Sequence, residues 1–132
     1  MMLDHIGLQV ADFARSRAFY IAVLGVLGHR LVMEIGPEET GGYAGAGFGP
    51  DNAPHFWIGH SPGVAAAGGT HVAFRAASRA GVDAFHAAAM AAGARDNGAP
   101  GLRPHYHPGY YGAFVLDPDG NNIEAVCHGM ES

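Results

Sequence analysis

The sequence has no lysine, a single cysteine and no long apolar run, and each of these absences excludes a class of protein. All 7 basic residues are arginines, and they are scattered, so no basic patch for nucleic acid is present. Without lysine, the chain can use neither a Schiff-base mechanism nor a phosphate-binding P-loop. The lone Cys127 cannot form a disulfide within the chain. Since we find neither a signal peptide nor an apolar stretch of about 18 residues, we expect a cytoplasmic protein without a membrane segment.

What the sequence does contain is typical of a globular protein. Hydrophobic residues make up 48% of the chain and charged residues only 14%, which excludes a disordered protein. A length of 132 residues is enough for one domain with a substantial core, so we predict a single domain spanning 1–132. Histidine is frequent, with 9 in the chain, and this is the first indication of chemistry.

The chain also repeats itself. The segment Asp4–Leu8, which contains His5, is echoed by Thr70–Phe74, which contains His71 at an offset of 71 − 5 = 66 residues. Such a repeat predicts two similar modules, the first spanning about 1–62 and the second about 69–132, with a Gly/Ala-rich linker at about 61–68.

Each module has the same predicted order of elements, a strand, a helix and three further strands. In the first module Asp12 is the expected N-cap of a helix that runs to about Leu27, and Gly36–Gly42 is expected to be a loop. In the second module Ser78 is the expected N-cap, and a long loop is predicted over Asn97–Pro108. This order indicates an α+β fold in which helices cover one face of mixed sheets.

The alternation of side chains along a strand predicts where the polar residues point. Apolar residues on the first strand of each module face the helix, so His5 and His71 point to the opposite side. On the last strand Glu124 alternates with apolar neighbours and points the same way. Two imidazoles and one carboxylate from separate strands are a ligand set suited to Fe(II), Mn(II), Ni(II) or Zn(II), with positions left open for substrate.

These motifs resemble the vicinal oxygen chelate superfamily, which includes glyoxalase I, extradiol dioxygenases, and fosfomycin and bleomycin resistance proteins. The resemblance rests on Leu3–Leu8, Gly69–Phe74, Ser16–Tyr20 and Asp117–Glu124, and with the repeat it covers nearly the whole chain. It implies two tandem βαβββ modules that form a cupped eight-stranded mixed sheet, with the helices on its outer face. It also implies a divalent metal ion held by the first and last strands of the modules, which corresponds to His5, His71 and Glu124.

The fourth ligand position departs from the family pattern. The repeat aligns Phe56 with Glu124 at an offset of 124 − 56 = 68, whereas the alternation of the strand places Trp57 there instead. Neither side chain binds metal. A glyoxalase I-like member is expected to carry a carboxylate at this position, so a three-ligand site like that of extradiol dioxygenases fits better. A small change of register would bring in His55.

A histidine- and tyrosine-rich segment precedes the penultimate strand. By position and chemistry, His105, His107 and Tyr111 are candidates for handling protons and holding an oxyanion, as similar groups do in extradiol-like members. The substrate pocket is expected to include Trp57, a pocket wall, together with Tyr106 and Tyr110. Arg75 and Arg103 could bind an anionic substrate.

The sequence therefore supports a metal-dependent enzyme that acts on a small molecule with neighbouring oxygens, by dioxygenase-like or by lyase or isomerase chemistry. The alternative is a non-catalytic protein that binds small molecules or drugs, as bleomycin resistance proteins do. A purely structural interaction domain is a third interpretation. The resemblance further implies a homodimer, and we expect no nucleic-acid or membrane partner.

Overall fold

The computed structural model describes residues 2–129, so the outer ends of both predicted modules lie outside the described residues. The chain divides into two compact units, with the division between Gly68 and Gly69. Each unit contains a four-stranded mixed sheet, and each follows the predicted order strand, helix and three strands. The α+β fold with two βαβββ modules is thus confirmed. The hydrogen bonds of the eight strands form two four-stranded sheets.

The first unit contains four strands and two helices. The elements are β1 (Ile6–Gln9), α1 (Phe13–Gly25), β2 (Arg30–Ile35), α2 (Pro37–Thr40), β3 (Ala44–Gly49) and β4 (Phe56–His60). The strand order is β1-β4-β3-β2, with β1 parallel to β4 and the other neighbours antiparallel. The segment expected to be only a loop contains the single-turn helix α2, which begins at a proline in its first turn.

The second unit repeats this arrangement with one helix. Its elements are β5 (His71–Arg75), α3 (Arg79–Ala91), β6 (Arg95–Leu102), β7 (Tyr111–Leu116) and β8 (Asn122–Cys127). The strand order is β5-β8-β7-β6, with β5 parallel to β8. The predicted long loop over Asn97–Pro108 is wrong in its first part, because β6 continues through Pro100 to Leu102. A strand at the edge of a sheet tolerates proline and glycine at irregular pairings, and β6 shifts register on both sides of Gly98.

Both predicted N-caps are confirmed. The side chain of Asp12 accepts a hydrogen bond from the amide of Arg15, and the side chain of Ser78 accepts one from the amide of Gly81. Each bond satisfies an amide that the first turn of a helix leaves without a partner. A glycine with positive φ lies just beyond α3, at Gly93 (φ 92°), where an L side chain would be strained.

In each unit a helix packs on one face of the sheet and builds the core there. In the first unit α1 contacts β2, β3 and β4, and in the second α3 contacts β6, β7 and β8. The fully buried large side chains include Val10, Tyr20, Val23, Leu24, Phe48 and Ile58 in the first unit, and Val82, Phe85, Val115 and Ile123 in the second. The face of each sheet opposite its helix is called the open face below. It carries Trp57 in the first unit and His71 and Glu124 in the second.

Candidate functional site

The open face of the second sheet brings together His71 and Glu124. Strands β5 and β8 are parallel, with Ala73 opposite Glu124, so His71 lies two residues from that pairing on the same face. The Nε2–H of His71 donates a hydrogen bond to Oε2 of Glu124. Glu124 is only 4% exposed, whereas the His71 side chain is 58% exposed. The pair is therefore a buried carboxylate beneath an accessible imidazole, and two of the three predicted ligands are in contact.

Tyr110 completes the surroundings of this carboxylate. Its hydroxyl donates a hydrogen bond of 3.0 Å to Oε1 of Glu124. Burial of the phenol, followed by the hydrogen bond to Glu124, raises the pKa of Tyr110 to about 12. The hydroxyl therefore keeps its proton at neutral pH and remains a donor. The sequence placed Tyr110 in the substrate pocket and did not predict this contact.

A cluster of rings surrounds Tyr110, formed by His105, Tyr106, His107 and His128. The Tyr106 ring lies 4.8 Å from the Tyr110 ring, and the His105 ring lies 4.2 Å from the Tyr106 ring at a tilt of 44°. His107 and His128 are stacked, with Nε2 of His107 and Nδ1 of His128 at 2.8 Å. Within the described part of the chain, neither His105 nor His107 is hydrogen-bonded to Glu124.

Tyr111, also predicted to be catalytic, points to the other face of the sheet. Its hydroxyl donates a 2.6 Å hydrogen bond to Asp83 of α3, and the Arg79 guanidinium lies 5.2 Å from its ring. The bond to Asp83, followed by burial, raises the pKa of Tyr111. The structure thus places Tyr111 against the helix and not beside Glu124.

The two arginines predicted to bind an anion lie in different surroundings. Arg75 is exposed at the end of β5 and shares the open face with His71 by alternation. Arg103 stacks on the ring of Phe114 at 4.9 Å and donates a 2.6 Å hydrogen bond to the Ala99 carbonyl. Arg103 therefore also has a structural role, because its guanidinium covers the Phe114 ring.

In the first unit, His5 is oriented by the acid that precedes it. Its Nδ1–H donates a 2.6 Å hydrogen bond to Oδ1 of Asp4, and this bond is the main cause that lowers the pKa of Asp4. Nδ1 of His55 lies 3.1 Å from the Asp4 carbonyl oxygen. In the neutral imidazole of His5, the lone pair is then on Nε2, the atom available to a metal.

A concave surface of about 600 Å³ lies on the open face of the first sheet. Its lining includes Asp4, His5, Tyr43, His55 and Trp57. Trp57 lies over Gly47, where an added Cβ would be only 2.9 Å from the indole, and the Tyr43 hydroxyl lies directly over Gly59. Trp57 is thus placed as a wall of this concave surface.

The structure also decides between the two candidates for the fourth ligand position. Gly7 pairs with Trp57 in the first unit as Ala73 pairs with Glu124 in the second, so Trp57 is the counterpart of Glu124. Phe56 points to the helix side and is 3% exposed. The interpretation based on alternation is confirmed, and the offset at this position is 124 − 57 = 67. The first unit therefore offers an indole where a carboxylate ligand would lie.

Three functional candidates were missed from the sequence. Asp4 contacts His5, and Tyr43 lines the concave surface. His128 pairs with His107. An acid directly before a strand histidine is a signal for Asp4. Glycines at alternate positions of β3 indicate that a ring lies on the sheet there, which is a signal for Tyr43. We find no sequence signal for the pairing of His128.

The residue types fit a divalent metal ion. Among residues 2–129, no three His, Cys, Asp or Glu side chains are grouped to hold a metal ion. The second unit does supply one imidazole and one carboxylate in contact, His71 and Glu124. The first unit supplies His5, whose Nε2 has its lone pair available. Imidazole and carboxylate donors of this kind suit Fe(II), Mn(II), Ni(II) and Zn(II).

None of the helices in the described part of the chain has the length and apolar composition needed to cross a membrane. No curated protein matches the chain. Several solved structures are similar to it. A glyoxalase/bleomycin resistance protein from Albidiferax ferrireducens T118 is 31% identical, with a TM-score of 0.74, over 96% of this chain and 99% of that one.

Two further structures are similar in fold. A glyoxalase/bleomycin resistance protein/dioxygenase family enzyme from Burkholderia phytofirmans PsJN has a TM-score of 0.66 and 21% identity, over 96% of this chain and 98% of that one. Glyoxalase I from Zea mays has a TM-score of 0.71 and 20% identity. The match covers 98% of this chain but only 45% of the maize protein.

One protein family matches almost the whole sequence. The family described as the Glyoxalase/Bleomycin resistance protein/Dioxygenase superfamily matches residues 2–125. The paired βαβββ units and the similar structures agree with this match. The chain therefore belongs to the Glyoxalase/Bleomycin resistance protein/Dioxygenase superfamily.

Proposed function

We propose that this protein is a divalent-metal-dependent enzyme that acts on a small molecule with two neighbouring oxygens. His71, Glu124 and His5 are the proposed protein ligands of the metal, with iron, manganese, nickel or zinc as candidates. Three protein ligands leave coordination positions for two substrate oxygens. The ion, when bound, supplies a Lewis acid that stabilises negative charge on substrate oxygen. Dioxygenase-like, lyase and isomerase chemistries are all compatible with this ligand set.

The contact between His71 and Glu124 carries the proposal. An ionised carboxylate that is 4% exposed is costly to bury unless a positive or hydrogen-bonding group compensates its charge. Within residues 2–129, the hydrogen-bond partners of this carboxylate are the imidazole of His71 and the phenol of Tyr110. A metal ion beside Oε2 and Nε2 would compensate the charge of Glu124 and use both donor atoms.

The third proposed ligand is His5. Asp4 fixes the tautomer of His5 so that Nε2 can bind a metal, an arrangement common for metal-bound histidines. We also propose that the protein is a homodimer. His5 and Trp57 line the same concave surface, which supports our proposal that His5 lies beside the substrate pocket.

The remaining predicted residues have proposed roles that follow from their positions. Arg75, on the open face, is proposed to attract an anionic substrate, and Trp57 to form an apolar wall. His105 and His107 lie in the ring cluster around Tyr110, and we propose that they handle protons near the site. We omit Tyr111 because its hydroxyl is bonded to Asp83 on the helix side.

The experiment is elemental analysis of the dialysed, untagged protein after expression with each candidate metal. The expected result is one ion per site, lost in both His71→Ala and Glu124→Ala. The matched control is His86→Ala, because Nε2 of His86 contacts Oδ1 of Asp96 at 3.0 Å in the same unit. His86→Ala should retain the metal. Retention of the metal in His71→Ala and Glu124→Ala would contradict the proposal.

A metal-independent binding protein is the second candidate, and the concave surface of the first unit favours it. Its volume of about 600 Å³ is within the usual range for small-molecule sites, and Trp57 replaces the carboxylate that a fourth ligand would provide. This candidate predicts no bound metal in the purified protein. It also predicts that ligand binding, followed by the fluorescence of the single tryptophan, is unchanged in Glu124→Ala.

A further inference from the structure

We propose that Tyr110 is a positioning residue that fixes the orientation of the Glu124 carboxylate. This inference rests on the proposed function, because it concerns Glu124 as a metal ligand. Its consequence is that the carboxylate is held in one orientation. Tyr110 touches neither a metal nor the reacting atoms in this account. It acts through Glu124.

The two oxygens of Glu124 have different partners. Oε1 accepts the 3.0 Å hydrogen bond from the Tyr110 hydroxyl, and Oε2 accepts the hydrogen bond from His71. A carboxylate with one oxygen held by a phenol cannot rotate about its terminal torsion without losing that bond. The oxygen that remains on the side of His71 is then Oε2, so the carboxylate offers one oxygen as a ligand.

The ring of Tyr110 is itself held in place. Rings of Tyr106, His107 and His128 surround it at centroid distances of 4.8, 5.4 and 5.4 Å. The ring also passes close to the backbone at Gly112, where an added Cβ would lie 3.2 Å from Cε1 of Tyr110. Aromatic contacts on several sides restrict the phenol, so its hydroxyl has a defined position. The ring cluster thus has a structural role, which is to hold Tyr110 in place, and this role does not depend on proton transfer.

The test compares Tyr110→Phe with Tyr111→Phe. Both variants lose a phenol hydroxyl that is bonded to a carboxylate, and both side chains belong to the same short segment of chain. Only the Tyr110 bond reaches Glu124, because Tyr111 contacts Asp83 on the opposite face. The probe is Co(II), titrated into the metal-free protein, and the readouts are its dissociation constant and its visible absorption spectrum.

We expect Tyr110→Phe to bind Co(II) about 10- to 100-fold more weakly, the usual effect of removing a group that orients a metal ligand. The visible bands of its cobalt complex should also change, since the carboxylate can turn and use both oxygens. Tyr111→Phe should bind Co(II) within about twofold of the wild type, with the same spectrum. A merely structural role of Tyr110 would lower the melting temperature of the metal-free protein and leave the spectrum unchanged.

A Tyr110→Phe variant with wild-type affinity and spectrum would overturn the inference and leave the metal site intact. Wild-type protein whose Co(II) binding does not depend on His71 or Glu124 would overturn both the inference and the proposed function. If Tyr110→Phe does not fold, Gly112→Ala requires the ring to shift by a few tenths of an ångström while keeping the hydroxyl, and it should weaken Co(II) binding by a smaller factor. Unchanged Co(II) binding in Gly112→Ala would then contradict the inference.

Discussion

Replacing Gly47 with alanine tests how closely Trp57 packs on the sheet. An added Cβ would lie 2.9 Å from Cε2 and Cζ2 of the indole and 2.7 Å from Cβ of Pro54. Contacts this short are not tolerated, and both neighbours are rigid rings. The indole therefore has to move away from the sheet, toward the concave surface that it lines.

Two opposing effects determine how much Gly47→Ala changes the free energy of unfolding. Overpacking at a well-packed position costs about 1–3 kcal/mol. Replacing glycine with alanine restricts the unfolded chain, which stabilises the fold by about 0.4–1 kcal/mol. The free energy of unfolding should therefore fall by about 0.5–2 kcal/mol. With a urea dependence of about 2 kcal/mol per molar, the midpoint of unfolding should move down by roughly 0.3–1 M.

Urea unfolding followed by circular dichroism measures the loss of stability. Fluorescence measures the movement of the Trp57 indole, since the chain contains 1 tryptophan. We expect Gly47→Ala to unfold earlier and its native emission to shift to longer wavelength, because the indole moves toward solvent. The matched control is Gly25→Ala in α1, where no atom lies within 4 Å of the added Cβ. That variant should be as stable as the wild type or slightly more stable. Wild-type stability together with unchanged emission in Gly47→Ala would refute the packing argument.

Two further predictions concern stability. Asp12→Ala and Ser78→Ala remove the caps of α1 and α3, and each should lower the free energy of unfolding by about 1 kcal/mol in urea titrations; no change in either variant would contradict the capping contacts. Burial, followed by the nearby charge of His55, lowers the pKa of His29 below its ordinary 6.5. The unfolded chain therefore takes up a proton first as the pH falls below 6.5, and the stability that neutral His29 supports is lost at acidic pH. His29→Gln should show a smaller loss of stability between about pH 7 and 5 than the wild type, and an equal loss would contradict this assignment.

Most of the fold could be predicted because local signals agree with the global arrangement. The repeat, the apolar alternation and the two caps each specify an element or its start, and all point to the same βαβββ order. The edge strand β6 could not be predicted in full. Its sequence Arg95–Leu102 contains Gly98, Pro100 and Gly101, which normally indicate a loop, and only pairing with β7 makes it a strand.

The candidate site could be predicted in part. Alternation along strands was sufficient to place His71 and Glu124 on one face, because the helix side of each sheet must be apolar. It was also sufficient to prefer Trp57 over Phe56. Alternation along β7 places Tyr111 on the same face as Ala113 and Val115, but it does not say which group either tyrosine hydroxyl contacts. The partners of the two hydroxyls, Glu124 for Tyr110 and Asp83 for Tyr111, come from tertiary packing.

The most direct test of the proposed metal site is an anomalous difference map from crystals grown with manganese, nickel or zinc. We expect a single strong peak at about 2.0–2.2 Å from Nε2 of His71 and from Oε2 of Glu124. If His5 is the third ligand, as proposed, its Nε2 should lie at a similar distance from the peak. A peak elsewhere, or metal-saturated crystals in which His71 still bonds to Glu124 with no ion beside them, would contradict the proposed site.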